Sequence, residues 1–513
     1  MKLLVFATVV LVLALLQGCA APQLGPRIST SHLTLGESEH THLGQAVTPL
    51  VKLHSSSSGV YLLSDPHTAF AARALLAASA EQTLDVQYYI WRRDVTGTLL
   101  LHALTLAAER GVRVRLLLDD NGVGGLDSTL AAVNSHSNIE VRLFNPFPLR
   151  FPKLLGYLTD FSRVNHRMHN KAFISDNQAS IVGGRNIADE YFGAGNNLLF
   201  SDLDVMAVGP VVQKTSADFD RYWASPGAYP LEQLLNRPAD NALAAFQREA
   251  TLAQSKPDAQ VYIQATRESG IVQHLLNNNL DLEWAPVQLV SDDPIKVTGQ
   301  AEKNMLISHQ LTQILGAPST SVILITPYFI PTKAGTELFT DMARRGIRIR
   351  VLTNSLAATD VAAVHAGYAK YRKQLLQAGI ELFEMRPTLG NDRNQRLDGP
   401  FGSSSSSLHA KTFAVDGKRL FVGSFNFDPR SMNLNTEMGY VINSPELATQ
   451  METAIEERVR DYAYQVKLDL KGNLYWVEFS DSGKQFFVTE PDTGWFKRAS
   501  VTFFSWLPIE ALL

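Results

Sequence analysis

Two stretches decide the fold: HNKAFISD at residues 169–176 and HAKTFAVD at residues 409–416. Each begins with a histidine, carries a lysine two positions later and ends with an aspartate. Apolar residues alternate through both, as in a β-strand, and side chains two positions apart share one face of a strand. The histidine and the lysine of each stretch are therefore predicted to project together. Asp416-Gly417 predicts a tight turn at the end of the second strand.

The two stretches lie within a longer internal repeat. RGVRVR at 110–115 returns as RGIRIR at 345–350, offset by 235 residues, and the two motif histidines are 240 residues apart. Around the first hexapeptide the apolar pattern predicts a strand at 83–89, a helix at 99–108 and a strand at 112–118. A strand–helix–strand unit implies parallel strands with a right-handed crossover. The chain is therefore predicted to be an α/β protein with two similar lobes.

The boundaries of these lobes follow from the repeat and from local composition. The serine run at 55–58 and the prolines and glycines before it predict a flexible tether, and the run at 390–407 is interpreted as a flexible loop at the site entrance. The predicted division is a signal peptide at 1–18, a tether at 19–60, a first lobe at 61–235, a linker or insertion at 236–300, a second lobe at 301–465 and a C-terminal extension at 466–513. The extension is expected to pack on the second lobe or to contact a membrane.

The N-terminus has the composition of an export signal. Lys2 precedes an apolar run at 3–16, which is short for a membrane span and leads to Cys19, the single cysteine of the chain. LQGC at 16–19 resembles a bacterial lipobox, which implies lipidation of Cys19 and a place in the bacterial cell envelope, facing the periplasm. By a similar resemblance, Ala20 slightly favours the outer membrane over the inner one. An ordinary cleaved signal peptide and an uncleaved anchor are the alternatives.

Composition excludes a disordered or fibrous chain. Hydrophobic residues make up 45% of the 513 residues and charged residues 19%, which is ordinary globular usage. The formal net charge is −4, so no global positive field attracts nucleic acid. No nucleic-acid partner is expected, although a local basic groove stays open.

Glycines and an asparagine follow each motif, in GGRN at 183–186 and GSFN at 423–426. Glycine lets an oxyanion approach the backbone, and asparagine supplies amide donors. Two such faces brought together surround one volume with imidazoles, ammonium groups and carboxamides, which suits a tetrahedral anion such as phosphate. The candidates are His169, Lys171, His409 and Lys411 for catalysis, with Asn186 and Asn426 for phosphate binding.

These residue types predict phosphodiester chemistry without a metal or cofactor. One imidazole attacks phosphorus, the second protonates the leaving oxygen, and the lysines neutralise the non-bridging oxygens. A nucleophilic histidine also needs an orienting acceptor. Asp202 and Glu437 lie 33 and 28 residues after the histidines of their own lobes, which makes them candidates. The alternative is that each is an exposed acidic residue.

Both motifs resemble the HxKxxxxD signature of the phospholipase D superfamily. TNSLAATD at 353–360, VHAGY at 364–368 and FNFDPRS at 425–431 are similar to the cardiolipin synthase branch of that superfamily. The resemblance implies two pseudo-symmetric α/β lobes with the active site at their interface.

The same resemblance assigns roles to individual residues. It implies His169 as the nucleophile and His409 as the acid and base, with the reverse assignment open. It also implies that Ser424 lies beside the phosphate. Asp176 and Asp416 are expected to hold the motifs through ion pairs and hydrogen bonds rather than to touch substrate.

The reaction implied by the resemblance moves a phosphatidyl group, through a phosphohistidine, from one glycerophospholipid to a hydroxyl of phosphatidylglycerol. Hydrolysis to phosphatidic acid by a phospholipase D is the alternative, and an exported nuclease is a weaker one. The expected partners are phospholipid and a membrane surface, and the oligomeric state is not predicted. Aromatic residues at 144–152 and 495–507 are interpreted either as membrane contacts or as packing elements.

Overall fold

The computed structural model describes residues 24–153, 155–193, 202–387, 408–480 and 483–513. The predicted signal peptide, Cys19 and the whole of the glycine- and serine-rich run at 390–407 lie outside the described residues. Within them the chain forms two lobes, each built on one β-sheet. No helix in these ranges has the length and apolarity needed to cross a membrane.

The first lobe begins near residue 35 and ends at the chain crossing after residue 285. Its elements are α1 Leu35–Ser38, α2 His42–Leu53, β1 Ser58–Leu63, α3 Pro66–Ser79, β2 Thr83–Ile90, α4 Val95–Glu109, β3 Arg113–Gly122, α5 Asp127–Asn134, β4 Ile139–Phe144, α6 Leu155–Thr159, α7 Phe161–Val164, β5 Ala172–Ser175, β6 Ala179–Gly183, α8 Asp189–Phe192, β7 Asp204–Val208, α9 Pro210–Ala224, β8 Ala228–Pro230, α10 Ala242–Gln254, α11 Pro257–Glu268, α12 Ile271–Leu276 and β9 Glu283–Ala285.

The second lobe takes up the rest of the chain. Its elements are β10 Val287–Ser291, α13 Ile307–Leu315, β11 Ser321–Ile325, α14 Thr332–Arg344, β12 Arg348–Asn354, α15 Ala362–Ala369, α16 Arg372–Gln377, β13 Glu381–Met385, β14 Thr412–Val415, β15 Arg419–Gly423, α17 Pro429–Asn433, β16 Met438–Ile442, α18 Pro445–Tyr462, β17 Ala463–Leu468, β18 Leu474–Ser480, β19 Gly483–Phe487 and α19 Trp495–Trp506. Short 3₁₀ turns lie at Leu231–Gln233, Pro294–Thr298, Lys303–Met305 and Glu510–Leu512.

The two sheets repeat one topology, which confirms the two-lobed α/β prediction. In the described residues their strand orders are β8-β4-β3-β2-β5-β6-β7-β1-β9 and β10-β16-β15-β14-β11-β12-β13-β17-β18-β19. The predicted strand–helix–strand unit is present as β2–α4–β3, with β2 and β3 parallel. The sheets are nevertheless mixed, because each motif strand forms a hairpin with its successor and pairs antiparallel to β2 or β11.

The sheets pack against each other through their motif hairpins. Ile174 and Val182 of the first lobe share a buried cluster with Ile323 and Val422 of the second. The hydroxyl of Tyr440 lies 2.8 Å from the Ser180 hydroxyl and 2.7 Å from the Thr215 hydroxyl in the first lobe. Helices cover the outer face of each sheet over separate apolar clusters. The motifs therefore lie at the lobe interface.

The prediction of a flexible tether over residues 19–60 is wrong for its described part. Thr34 and Glu37 form a reciprocal capping box at the start of α1, and Leu43 and Val47 of α2 are buried in the first-lobe core. Thr30 accepts a hydrogen bond from buried Arg115 at 2.9 Å. These contacts fix the segment because Leu43 and Val47, one helical turn apart, bury apolar surface. The scattered prolines and glycines and the serine run of the segment concealed this pattern in the sequence.

The predicted boundary between the lobes also shifts. Of the two alternatives for 236–300, residues 236–285 agree with an insertion and not with a linker. Phe246 and Ala250 of α10 and Tyr262 of α11 are buried in the first-lobe core, and β9 pairs with β1. The chain changes sheet at Pro286, between β9 and β10. The C-terminal extension packs on the second lobe, where β17, β18 and β19 lengthen its sheet.

Candidate active site

The first motif histidine is placed by backbone pairing between the lobes. His169 and Lys171 lie in the extended segment just before β5. The His169 N–H donates to the Thr436 carbonyl at 2.9 Å, and the Thr436 N–H donates to the Arg167 carbonyl at 2.9 Å. This pairing sets Glu437 beside the imidazole, with His169 Nδ1 2.8 Å from Glu437 Oε2.

The second histidine has the mirrored arrangement. His409 Nδ1 lies 2.7 Å from Asp202 Oδ2, so each imidazole is paired with a carboxylate of the opposite lobe. The expectation that each acid serves the histidine of its own lobe is therefore wrong. Glu437 directly precedes β16 and Asp202 lies two residues before β7. Both carboxylates point across the lobe interface. Because a carboxylate only accepts, each Nδ1 carries the hydrogen and each Nε2 keeps a lone pair.

The two motif lysines are tied to the backbone of their own motifs. Lys171 Nζ donates to the His169 carbonyl at 2.6 Å, and Lys411 Nζ donates to the His409 carbonyl at 2.5 Å. An ammonium group has three donors. These bonds therefore fix the direction of each lysine while leaving it further donors.

The buried cations make the site receptive to an anion. Burial lowers the pKa of Lys171 well below its usual range and that of Lys411 to about 8. Burial, then Lys171 and Lys411, lowers the pKa of His169 well below its usual range. Burial, then Lys411, lowers the pKa of His409 to about 4. A bound phosphate would offset this repulsion, because opposite charge favours the protonated forms.

The two histidine–carboxylate pairs differ in charge. Burial raises the pKa of Glu437 to about 7. Burial opposes ionisation of Asp202 too, but the His409 charge and hydrogen bond hold the pKa of Asp202 well below its usual range. Asp202 is therefore the fixed anion of the site, and Glu437 is only weakly acidic.

A neighbouring residue explains why the two acids differ in length. Ser424 donates its hydroxyl to Glu437 Oε2. The residue 240 positions earlier is Gly184, where a Cβ atom would meet Asp202 Oδ1 at 2.1 Å. Asp202, the shorter acid, thus packs directly against the backbone of Gly184. Ser424 therefore positions Glu437, and its contact with phosphate stays a prediction.

The predicted asparagines lie beside the motifs and are buried. Asn186 Oδ1 accepts the Ile90 N–H at 3.1 Å, while its Nδ2 has no hydrogen-bond partner in the described part of the chain. That amide is a free donor for a phosphate oxygen. Asn426 Oδ1 lies 3.5 Å from the Thr326 hydroxyl, so this carboxamide is held less tightly.

Two tyrosines of the site were not predicted from the sequence. The Tyr89 ring meets the His169 ring edge-on with centroids 5.1 Å apart, and the Tyr191 ring meets His409 in the same way at 4.9 Å. Tyr191 lies five residues beyond Asn186, in α8, the first helix after β6. Both rings restrict imidazole rotation and reduce access of water.

The motif aspartates lie at the far end of the motif strands. Asp176 accepts the N–H groups of Glu81, Gln82 and Thr83 at 2.8 to 2.9 Å. Asp416 accepts the corresponding groups of residues 319–321. Seven residues of extended chain, roughly 20 Å, separate each aspartate from its histidine. Each therefore holds the start of β2 or β11 and touches no reacting atom.

Replacing Asp176 with asparagine is expected to lower stability and to spare chemistry. An amide keeps one acceptor but faces three N–H donors, which we expect to cost about 1–3 kcal/mol of the free energy of unfolding. Thermal unfolding and kcat at a temperature where the variant stays folded would measure the two effects. Asp416→Asn is the matched variant in the more exposed second turn, and it should cost less. A kcat more than tenfold lower in folded Asp176→Asn would contradict this role.

Activity is expected to fall as pH rises through about 8. Lys411 is cationic below its pKa of about 8 and neutral above it, and a neutral amine no longer stabilises charge on phosphate. The dependence of kcat/KM on pH measures this limb. Lys411→Arg, which stays charged, should lower the rate but move the alkaline limb upwards. An unchanged limb in that variant would assign it to another group.

Among the described residues, no group of three or more His, Cys, Asp or Glu side chains is placed to hold a metal ion. The groups that converge are two imidazoles, two ammonium groups and an unpaired amide. They can bind a phosphodiester, attack it through nitrogen and exchange a proton with its ester oxygens.

Comparisons with known proteins agree with this arrangement. The family model described as cardiolipin synthase, PLD-like domain, matches residues 75–223 and 311–459. The chain is 48% identical over 471 residues to cardiolipin synthase C of Escherichia coli (strain K12), covering 92% of this chain and 99% of that protein. It is 31% identical over 463 residues to an uncharacterized protein of Helicobacter pylori (strain ATCC 700392 / 26695), covering 89% and 90%.

A solved structure supports the fold. The crystal structure of phosphatidylserine synthase from Haemophilus influenzae Rd KW20 matches with a TM-score of 0.54 at 13% identity, covering 83% of this chain and 92% of that one. At that identity the likeness concerns the fold alone. The two family matches correspond to the two lobes and confirm that the lobes are repeats.

Proposed function

The chain belongs to the cardiolipin synthase family of PLD-like proteins, and we propose that it is a phosphatidyltransferase that makes cardiolipin from phosphatidylglycerol and a second glycerophospholipid. The observation that carries the proposal is the pair of imidazoles, each oriented by a carboxylate of the opposite lobe, beside two buried lysines. This set recognises a phosphodiester and supplies both a nucleophile and an acid.

The reaction proceeds in two displacements. In the first, the bound anionic phosphate favours a second proton on His409, at Nε2. His169 Nε2 then attacks phosphorus, a P–N bond forms, the P–O bond to the donor headgroup breaks, and His409 gives that Nε2 proton to the leaving oxygen. In the second, His409 takes the proton of an acceptor hydroxyl, that oxygen attacks phosphorus, and the P–N bond breaks. Lys171, Lys411 and Asn186 bind the non-bridging oxygens in both steps.

The charge difference between the two carboxylates supports His169 as the nucleophile. Ionised Asp202 stabilises an imidazolium at His409, as a general acid needs. Glu437, with its pKa raised to about 7, gives less support to a charged His169, which keeps its lone pair for attack. The reversed assignment would place the imidazolium of the general acid at His169, beside Glu437, whose raised pKa makes it the less ionised carboxylate.

We extend the proposal to location. A homologue of a bacterial cardiolipin synthase is a membrane-associated bacterial protein, and lipidation at Cys19 would hold this chain at the envelope, facing the periplasm. The lipobox-like LQGC at 16–19 supports the anchor. Metabolic labelling with an acyl probe tests it, and equal labelling of wild type and Cys19→Ala would reject it.

The product of the purified protein on phosphatidylglycerol tests the function. We expect cardiolipin and free glycerol in equal amounts, because glycerol is the headgroup that leaves. Phosphatidic acid as the only lipid product would show water as the acceptor and favour hydrolysis. Release of nucleotides from DNA, with neither lipid product, would favour a nuclease.

A further inference from the structure

The C-terminal helix α19 carries its aromatic side chains on the outside. Trp495, Phe503 and Trp506 are 74%, 55% and 78% exposed, and their spacing of eight and three residues puts them on one stripe. Ala499 and Thr502, the other members of the stripe, are uncharged and exposed. The exposed stripe of the helix is therefore aromatic and uncharged, whereas the exposed side of a surface helix is normally polar.

The helix is nevertheless fixed to the second lobe. Val501 packs against Leu356 and Ala366 on its inner face. Lys497 Nζ lies 3.4 Å from the carbonyls of Ala357 and Thr359. Lys497 thus points inward, Arg498 donates to the Thr493 carbonyl just before the helix, and the aromatic stripe is left for a partner.

A second apolar surface lies on the first lobe, in a segment that we call the rim segment, residues 149–153 and 155–161. Phe151 and Leu158 are 93% and 82% exposed. The cations of the segment point inward, since Arg150 and Lys153 both pair with buried Asp120. Here too the charges are satisfied within the lobe and the outer side chains are apolar.

Arg430 connects the two surfaces across the lobe junction. Its guanidinium donates to the Asn165 carbonyl at 3.0 Å and side-chain oxygen at 2.7 Å, just beyond the rim segment. Its N–H donates to the Leu513 carbonyl at 2.7 Å, seven residues after α19. Met432 and Leu512, each within two residues of this contact, are 40% and 43% exposed. Arg430 is four residues from Asn426, so the rim segment and the stripe of α19, together called the apolar rim, border the candidate active site.

We propose that the rim segment and the outer stripe of α19 dock together on the surface of a phospholipid bilayer and hold the active site against it. The inference rests on the proposed function, because a diacyl lipid must leave the bilayer to reach His169, which is only 8% exposed. Clustered tryptophan and phenylalanine without charge suit the interface between headgroups and acyl chains. Apolar residues scattered singly would need no explanation, but these form two surfaces that Arg430 connects.

The start of the described chain lies on the same side. Arg27 donates to the carbonyls of Ala224, Ser225 and Ala228. Ala228 pairs with Phe144, at the strand end that leads to the rim segment. Eight residues separate Arg27 from Cys19, a span of at most roughly 30 Å. A lipid on Cys19 can therefore enter the same bilayer that the apolar rim contacts.

Tryptophan quenching tests the docking in the full-length chain. Trp91, Trp223 and Trp476 are buried and Trp284 is stacked on His54, so Trp495 and Trp506 are the two exposed indoles. With phosphatidylglycerol vesicles containing brominated acyl chains, we expect strong quenching in the wild type and in Trp284→Phe. Trp495→Phe/Trp506→Phe should lose most of it. No quenching in vesicle-bound wild type, or equal quenching in the double variant, would overturn the proposal.

Activity on two physical forms of one substrate separates docking from chemistry. Phe503→Ser/Trp506→Ser and Phe151→Ser/Leu158→Ser should each lower the rate on phosphatidylglycerol vesicles about tenfold. The rate on monomeric short-chain phosphatidylglycerol should stay within twofold. Leu252→Ser/Val261→Ser, which removes exposed apolar side chains of α10 and α11, is the matched control and should change neither rate.

The outcomes distinguish docking from the proposed function. Equal loss on both substrate forms would mean that the aromatic residues support the site and do not dock. Quenching needs no turnover, so quenched protein without lipid product would reject the proposed function and leave docking standing. A dimer in sedimentation that is abolished by Phe503→Ser, with no quenching, would assign the surface to a second copy of the chain and overturn the proposal.

Discussion

His169→Ala is expected to abolish turnover while the protein stays folded. Without the imidazole no P–N bond can form, and the loss should be on the order of 10⁴ or more in kcat. The fold should survive because β5 and β6 hold the segment by strand pairing, and the imidazole adds one carboxylate contact and one ring contact. Cardiolipin formation per hour and thermal unfolding of the same sample would measure both.

His409→Ala is the matched variant in the second lobe. It should also lose turnover, because the leaving oxygen then lacks its proton donor, yet His169 can still attack slowly. Tyr191→Phe keeps the ring against His409 and serves as a control for packing. Activity within tenfold of wild type in either histidine variant, in folded protein, would break the mechanism with two histidines.

Replacing Asp202 or Glu437, the carboxylates that contact a histidine across the lobe interface, with the corresponding amide is expected to lower kcat roughly 10²–10⁴-fold. Asp202 and Glu437 accept from Nδ1 and so keep the lone pair on Nε2, whereas an amide can donate to Nδ1 and stabilise the wrong tautomer. In the well-studied Ser-His-Asp triad such an exchange costs about 10⁴. We expect Asp202→Asn to be the more severe, since it also removes the fixed negative charge beside His409.

Imidazole tautomers distinguish a loss of imidazole orientation from a general loss of structure in these variants. Nitrogen NMR of the imidazoles should report a shift from the Nδ1–H to the Nε2–H tautomer in Glu437→Gln for His169 and in Asp202→Asn for His409. Because each acid contacts the histidine of the opposite lobe, the identity of the histidine that changes tautomer tests the pairing across the interface. A tautomer change at the histidine of the same lobe, or none at all, would contradict the paired arrangement.

The sequence predicted the features that depend on local pattern. The motif copies at their repeat spacing indicated two lobes, and the His-x-Lys alternation predicted the shared face. Asp176 could be assigned to a turn because it ends a strand pattern. Those statements need only the strand period and the repeat.

The features that the sequence did not predict depend on packing between distant segments. That His169 pairs with Glu437 follows from how the sheets meet, and no spacing encodes it. Ser424 was predicted beside phosphate, and no spacing indicated that its hydroxyl donates to Glu437. The segment at 24–60 was predicted as part of a tether because Pro49 and the glycines of the segment obscure its helical pattern. Leu43 and Val47 are the two apolar residues that pack it into the first-lobe core.

Trapping the covalent intermediate tests the central claim most directly. His409→Ala protein is mixed with phosphatidylglycerol labelled in its phosphate, quenched in alkali that preserves phosphohistidine, and digested for mass spectrometry. The mechanism predicts the phosphatidyl label on the peptide containing His169, and its absence in His169→Ala/His409→Ala. Label on any other residue, or cardiolipin formed by wild type with no trapped label under the same conditions, would contradict transfer through His169.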